Sequence, residues 1–124
     1  MQFHFEKLTV WKDAMELVTT IYRLTRAFPT DEQFGMVSQL RRAAVSVSAN
    51  IAEGRGRYHR KDFIQFLYVA RGSLYETITL IKAAASLQYL PSKDQEPLLM
   101  QWQRIGGKLS GLINALRSLP RTPK

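Results

Sequence analysis

Apolar residues along this 124-residue chain recur at steps of three and four, the spacing of one helical face, and no stretch shows the two-residue alternation of a strand. Breakers interrupt the pattern at Phe28-Pro29-Thr30, Gly54-Arg55-Gly56 and Leu90-Pro91-Ser92, with a stop at Pro120, leaving four segments. In the first, Thr9 reads as an N-cap and Trp11, Met15, Val18, Ile21, Tyr22 and Phe28 as one face, which predicts a helix over about 10–28. Thr30-Asp31-Glu32-Gln33 has the form of a capping box, and Val37, Leu40, Ala44, Val47 and Ile51 follow as a stripe. With Gly54 as a left-handed C-terminal cap, the second helix spans about 31–53.

The third helix, about 59–88, carries Phe63, Leu67, Ala70, Leu74, Ile78, Ile81 and Ala85 on its core face. Ser92-Lys93-Asp94-Gln95 repeats the capping-box logic for a fourth over about 93–118, with Leu98, Trp102, Ile105, Leu109, Leu112, Leu116 and Leu119 on one side and a basic tail at 119–124. Short connectors make successive helices antiparallel neighbours, so the expected fold is all-α, an up-and-down antiparallel four-helix bundle in a single domain. Two helices hold more apolar surface than one bundle face requires. Val69, Leu80 and Leu87 flank the third helix on one side and Ile64, Tyr68 and Tyr75 on the other, while Phe34, Val45, Ala49 and Ala52 lie off the stripe of the second. Self-association through these two helices is the expected use of that surplus.

Composition adds mainly exclusions. With 45% hydrophobic and 23% charged residues the chain lies outside the disordered regime. The absence of cysteine rules out disulfides and thiolate chemistry and fits a cytoplasmic location. The N-terminal MQFHFEKL has an acid and no basic region leading into an apolar stretch, and no window is apolar enough to span a bilayer, so neither secretion nor membrane insertion is expected.

Charge changes the picture more. Residues 1–54 hold six Lys/Arg and six Asp/Glu, whereas residues 55–124 hold twelve against four, so the whole net charge of +8 lies in the second half. A polyanion is the partner such asymmetry favours, although surplus charge also serves solubility. Candidate nucleic-acid contacts are the connector Arg55, Arg57, Tyr58, His59, Arg60 and Lys61, a basic loop with an interleaved aromatic, and Arg104, Lys108, Arg117 and Arg121, which border the apolar stripe of the fourth helix. The connector is no Walker loop or dinucleotide fingerprint, since no strand precedes it.

Catalytic candidates are few. His4 and His59 have no ligand at metal-binding spacing, and His59 reads as a phosphate or solvent contact, so neither a metal nor a cofactor is expected. Asp31, Glu32, Asp62, Asp94 and Glu96 fall in first turns, where helix dipoles favour acids. Glu53 and Glu76 stand apart, with Arg42, Ser46, Asn50, Arg71 and Ser73 in their neighbourhood. These seven read either as a polar network fixing helix register or, less economically, as a carboxylate pair for acid–base work. Gly106, Gly107 and Gly111 each weaken the fourth helix by about 1 kcal/mol relative to alanine, a sign of close approach by another helix or a ligand.

Several strings are familiar together: Trp11 through Tyr22, Phe28-Pro29, QLRRAAVSVSANIAEG from Gln39 to Gly54, FIQFL from Phe63, ARGSLYE from Ala70 and LQYL from Leu87. In these the chain, from about residue 5 to residue 117, resembles the four-helix-bundle protein family, also called the 23S-rRNA intervening-sequence protein family. Ser46, Asn50, Glu53 and Gly54 carry its densest motif; Arg42, Ser73 and Glu76 also match signature positions. The resemblance implies an up-and-down bundle assembled, as in known relatives, into a homopentameric ring. A more distant similarity is to the accessory variability protein of diversity-generating retroelements, which binds a reverse transcriptase and its RNA or DNA. The expected function is thus a non-enzymatic, oligomeric, nucleic-acid-associated protein, with an interaction scaffold or reverse-transcriptase accessory subunit as the alternative.

Overall fold

A computed structural model describes residue 5 and residues 8–120, which form four helices, α1 (Thr9–Thr25), α2 (Met36–Arg55), α3 (Arg60–Ser86) and α4 (Ser92–Arg117), with one 3-10 turn at Thr30–Glu32 and no strand among the described residues. Each helix packs on two others, in the cyclic order α1, α2, α3, α4, and the α2–α3 interface is the most extensive. Paired residues run in opposite directions along every well-sampled interface. Ser46 meets Ser73 while Gly54 meets Phe63, Leu74 meets Trp102 while Tyr68 meets Arg117, and Asp13 meets Lys108 while Thr20 meets Gln101. None of the helices is long and apolar enough to cross a membrane.

The core face of α1 differs from the expected one. Val10, Ala14, Leu17, Ile21 and Thr25 are buried, Trp11 and Val18 flank them, and Met15 and Tyr22 are exposed. Apolar residues cover two adjacent arcs of α1, and the arc with the small Ala14 lets the neighbouring helices close in. Thr25 tolerates burial because its hydroxyl donates to the Ile21 carbonyl (2.7 Å) and accepts from Arg41 Nε (3.0 Å). A similar substitution occurs on α3, where Thr77 and Ala84 fill the core in place of Ile78 and Ala85. The Thr77 hydroxyl is satisfied by the Ser73 carbonyl at 2.8 Å, so a polar residue occupies an apolar position without an orphaned group. On α4 the buried set is Leu98, Ile105, Leu109 and Ile113, with Trp102, Leu112 and Leu116 at its margin and Leu119 exposed beyond the helix end.

Capping is also rearranged. Thr30–Gln33 forms a separate turn, and α2 starts later, at Met36. Glu32 reaches across the gap: one carboxylate oxygen accepts from the Met36 amide (3.4 Å) and the other from the Tyr89 hydroxyl (3.1 Å) beyond α3. Neither Thr9 nor Ser92 supplies a side-chain cap; Gln95 instead donates to the Leu90 carbonyl. Gly54 is not a cap either, because α2 continues through it and no described glycine has a positive φ. A Cβ there would lie 2.6 Å from Phe66 Cβ and 3.1 Å from a Phe63 ring carbon, so at Gly54 α2 and α3 pack too closely for a side chain. The left-handed cap falls at Gln88 (φ 63°), where the Tyr89 and Gln88 amides close a Schellman motif on Ala84 and Ala85.

Candidate nucleic-acid interface

The connector between α2 and α3 is only a few residues long, because α2 runs on to Arg55 and α3 opens at Arg60. Its aromatic residue is held outward. Tyr58 is 94% exposed, and its one ring contact is edge-on to His59, with centroids 4.9 Å apart. Arg57 folds back onto α2 and α3, pairing with Glu53 at 3.2 Å and lying 4.8 Å above the Phe66 ring. An exposed pair of this kind contributes about 0–1 kcal/mol and leaves the guanidinium competent to exchange partners.

Antiparallel packing brings the last turn of α4 to the first turn of α3. Arg60 donates to the Pro120 carbonyl (3.0 Å), and Arg117 donates to the Tyr68 hydroxyl (2.9 Å). Between them opens a cleft of about 420 Å³ walled by His59, Arg60, Lys61 and Arg117, with Ile64, Leu116 and Leu119 supplying its apolar surface. Among the described residues no carboxylate lines it. The positive end of the α3 dipole faces the same region, where Asp62 is the first-turn acid. The chemistry available is that of a concave cationic surface with fixed donors, suited to phosphate oxygens. Tyr68, which orients Arg117, was visible in the sequence only as an apolar flank, since its role depends on two helices meeting.

The other bases expected at this surface are placed elsewhere. Lys108 forms an ion pair with Asp13 of α1, and both are partly buried, so its charge is neutralised within the bundle. Arg104 is exposed on α4 but lies 13 residues from Arg117, about 20 Å along the helix. Arg55 is half-buried at the end of α2. Arg121, like His4, lies outside the described residues.

Only part of the seven-residue polar set is brought together. Ser46 and Ser73 hydroxyls meet at 2.8 Å across α2 and α3, and Asn50 donates to the Ser46 carbonyl (2.8 Å) and hydroxyl (3.0 Å). Arg71 turns to the other side of α3, toward Ser110 (3.4 Å), with its guanidinium 5.0 Å over Tyr68. Arg42 and Glu76 are exposed and make no hydrogen bond or ion pair to other described residues. Glu53 pairs with Arg57, whose guanidinium lies over Phe66, so Glu76, ten residues beyond Phe66, is about 15 Å further along α3 and the two carboxylates form no pair. Among the described residues no group of three His, Asp or Glu side chains has the geometry to hold a metal ion.

One partly buried phenol is chemically perturbed. Tyr89 has its pKa raised, first by the hydrogen bond to Glu32, then by partial removal from water and by the negative charges of Glu32 and Asp31. Its location at the opposite end of α3 from the cleft assigns it to the fold.

Against known proteins, the family model of the 23S rRNA-intervening sequence protein matches residues 6–111. Among solved structures, a protein of unknown function from the S23 ribosomal protein family of Bacteroides thetaiotaomicron superposes with a TM-score of 0.79 at 24% identity, over 86% of this chain and 96% of that one. At that identity the likeness is one of fold. No curated protein matches the chain.

Proposed function

Because the chain belongs to the 23S rRNA-intervening sequence protein family, we propose that it acts by binding and not by catalysis, as a self-associating four-helix bundle that holds nucleic acid against the end where α3 begins and α4 stops. The observation that carries this reading is the convergence of His59, Arg60 and Lys61 with Arg117, more than fifty residues away in sequence, around one cleft that no described carboxylate lines. Association through α2 and α3 is supported by the outward-facing Val45, Val69 and Tyr75, which lie on the same two helices as the Ser46–Ser73 contact. A homopentameric ring, the assembly that the family resemblance implies, would repeat the basic cleft several times around one particle and multiply weak phosphate contacts.

Salt titration of binding to a short duplex or single strand tests the proposal. With about four to six phosphate contacts, log K falls against log salt with a slope of roughly −4 to −5 for duplex DNA. A salt-independent interaction, or none at low salt, refutes it. A second reading, as a scaffold or accessory subunit for a larger enzyme such as a reverse transcriptase, draws on Phe34, 91% exposed in the approach to α2. Charge reversal at Arg55, Arg57, Arg60 and Lys61, with nucleic-acid retention and protein co-purification recorded separately, separates the two: a partner protein that still co-purifies once nucleic acid is lost favours the scaffold, and loss of nucleic acid from a protein that co-purifies with no partner favours the first reading.

A further inference from the structure

Tyr58 and the cleft beside it together specify more than an affinity for polyanions. We infer that this end of the bundle receives an unpaired nucleotide segment, with one base stacked on the Tyr58 ring and the adjoining phosphate among His59, Arg60, Lys61 and Arg117. The inference rests on the nucleic-acid reading above and adds the strandedness of the ligand.

Three observations carry it. First, Tyr58 leaves 94% of its surface in water, and its T-shaped contact with His59, at an interplanar angle of 89°, can occupy at most one of its two ring faces. An aromatic face is what an unstacked base seeks, whereas in a duplex the base faces are already stacked on one another and only edges and phosphates are presented. Second, stacking surface and cationic cleft are contiguous, since His59 both borders the Tyr58 ring and walls the cleft. A base and its own backbone phosphate can therefore be engaged together.

Third, the two arginines are anchored without being neutralised by any described residue. Each makes one hydrogen bond to a neutral oxygen, Arg60 to the Pro120 carbonyl and Arg117 to the Tyr68 hydroxyl, and among the described residues neither has a carboxylate partner. A guanidinium has five N–H donors in a rigid fork, so donors remain to meet phosphate oxygens while the anchoring bond limits the rotamer freedom lost on binding. Arg57 makes the contrast: it is paired with Glu53 and packed on Phe66, and contributes field more than fixed contact.

The test is fluorescence anisotropy of the full-length protein with a labelled 12-nucleotide single strand, as RNA and as DNA, and with the corresponding DNA duplex, all at one low salt concentration. Single strands are expected to bind more tightly than duplex. Tyr58→Ala should weaken single-strand binding about 5- to 100-fold and duplex binding less than twofold, while Tyr58→Trp retains single-strand affinity. Stacking uses no 2′-hydroxyl, so both strand chemistries should lose affinity alike. Arg60→Ala and Arg117→Ala should each reduce the single-strand salt slope by about 0.7, one phosphate contact's share. Equal binding of duplex and single strand, or no effect of Tyr58→Ala, overturns the inference and leaves the nucleic-acid reading standing; no binding to any of the three overturns both. Circular dichroism of each variant checks that exposed substitutions leave the fold intact.

Discussion

Replacing Gly54 by alanine should destabilise the protein although alanine is the better helix former. In an unconstrained helix the exchange stabilises by about 1 kcal/mol. Here the new methyl would sit 2.6 Å from Phe66 Cβ and 3.1 Å from the Phe63 ring. Carbon atoms pack at about 3.5–4.0 Å, so α2 and α3 must separate locally by about 1 Å. Phe66 Cβ is fixed to the α3 backbone and no rotamer change removes it, which places the overpacking cost at the upper end of about 1–3 kcal/mol. The net expectation is a loss of about 1–2 kcal/mol. Gly107→Ala is the control: nothing lies within 4 Å of its added Cβ, so helix propensity acts alone and the variant should gain about 1 kcal/mol. Urea unfolding followed by far-UV circular dichroism, at one fixed protein concentration because association contributes to apparent stability, measures both. A Gly54→Ala protein as stable as the parent would refute the close approach of α2 and α3.

Gln88 occupies a left-handed Schellman position with φ 63°, so Gln88→Gly should stabilise by about 0.5–1 kcal/mol and Gln88→Val should destabilise, read from the same unfolding curves. The raised Tyr89 pKa favours the folded state while the phenol is protonated in both states, so this contribution is full below about pH 10 and is lost as pH rises through the higher folded value. The stability advantage over Tyr89→Phe should therefore shrink in thermal melts above about pH 10, and an advantage constant through the alkaline range would contradict the Glu32 bond. Thr25→Val removes the acceptor that anchors Arg41 at 3.0 Å and should cost about 1 kcal/mol. In that background Arg41→Ala should cost less than in the parent, because only its contacts with the Tyr22 carbonyl and ring remain, and a fully additive double-mutant cycle would show that the Thr25 contact carries no coupling.

Membership of the family and the four-helix architecture were legible in the chain, because helical periodicity and the QLRRAAVSVSANIAEG string are properties of neighbouring residues. So was the second-half location of the positive charge. Helix faces were less secure. On α1 an alphabet of apolar residues preferred Met15 and Tyr22 to Ala14 and Thr25, since it scores side-chain size and cannot see which arc a neighbour covers or that a hydroxyl can bond its own helix. The Gly54 signal was read as backbone freedom when its cause is the close approach of the α3 backbone at Phe63 and Phe66, and the two causes leave the same letter in the sequence. At the candidate site the connector bases were visible as a run, whereas the pairing of Lys108 with Asp13 and the meeting of Arg60 with Arg117 were not.

By itself, then, the sequence determined the helices, their approximate ends and the sign of the charge, because these depend on residues within a few positions of one another. The tertiary structure alone decided which bases are paired within the bundle, which side of each helix is core and where glycine is required. Those depend on distances between residues nine to ninety-five positions apart, which only the antiparallel closure of the bundle sets.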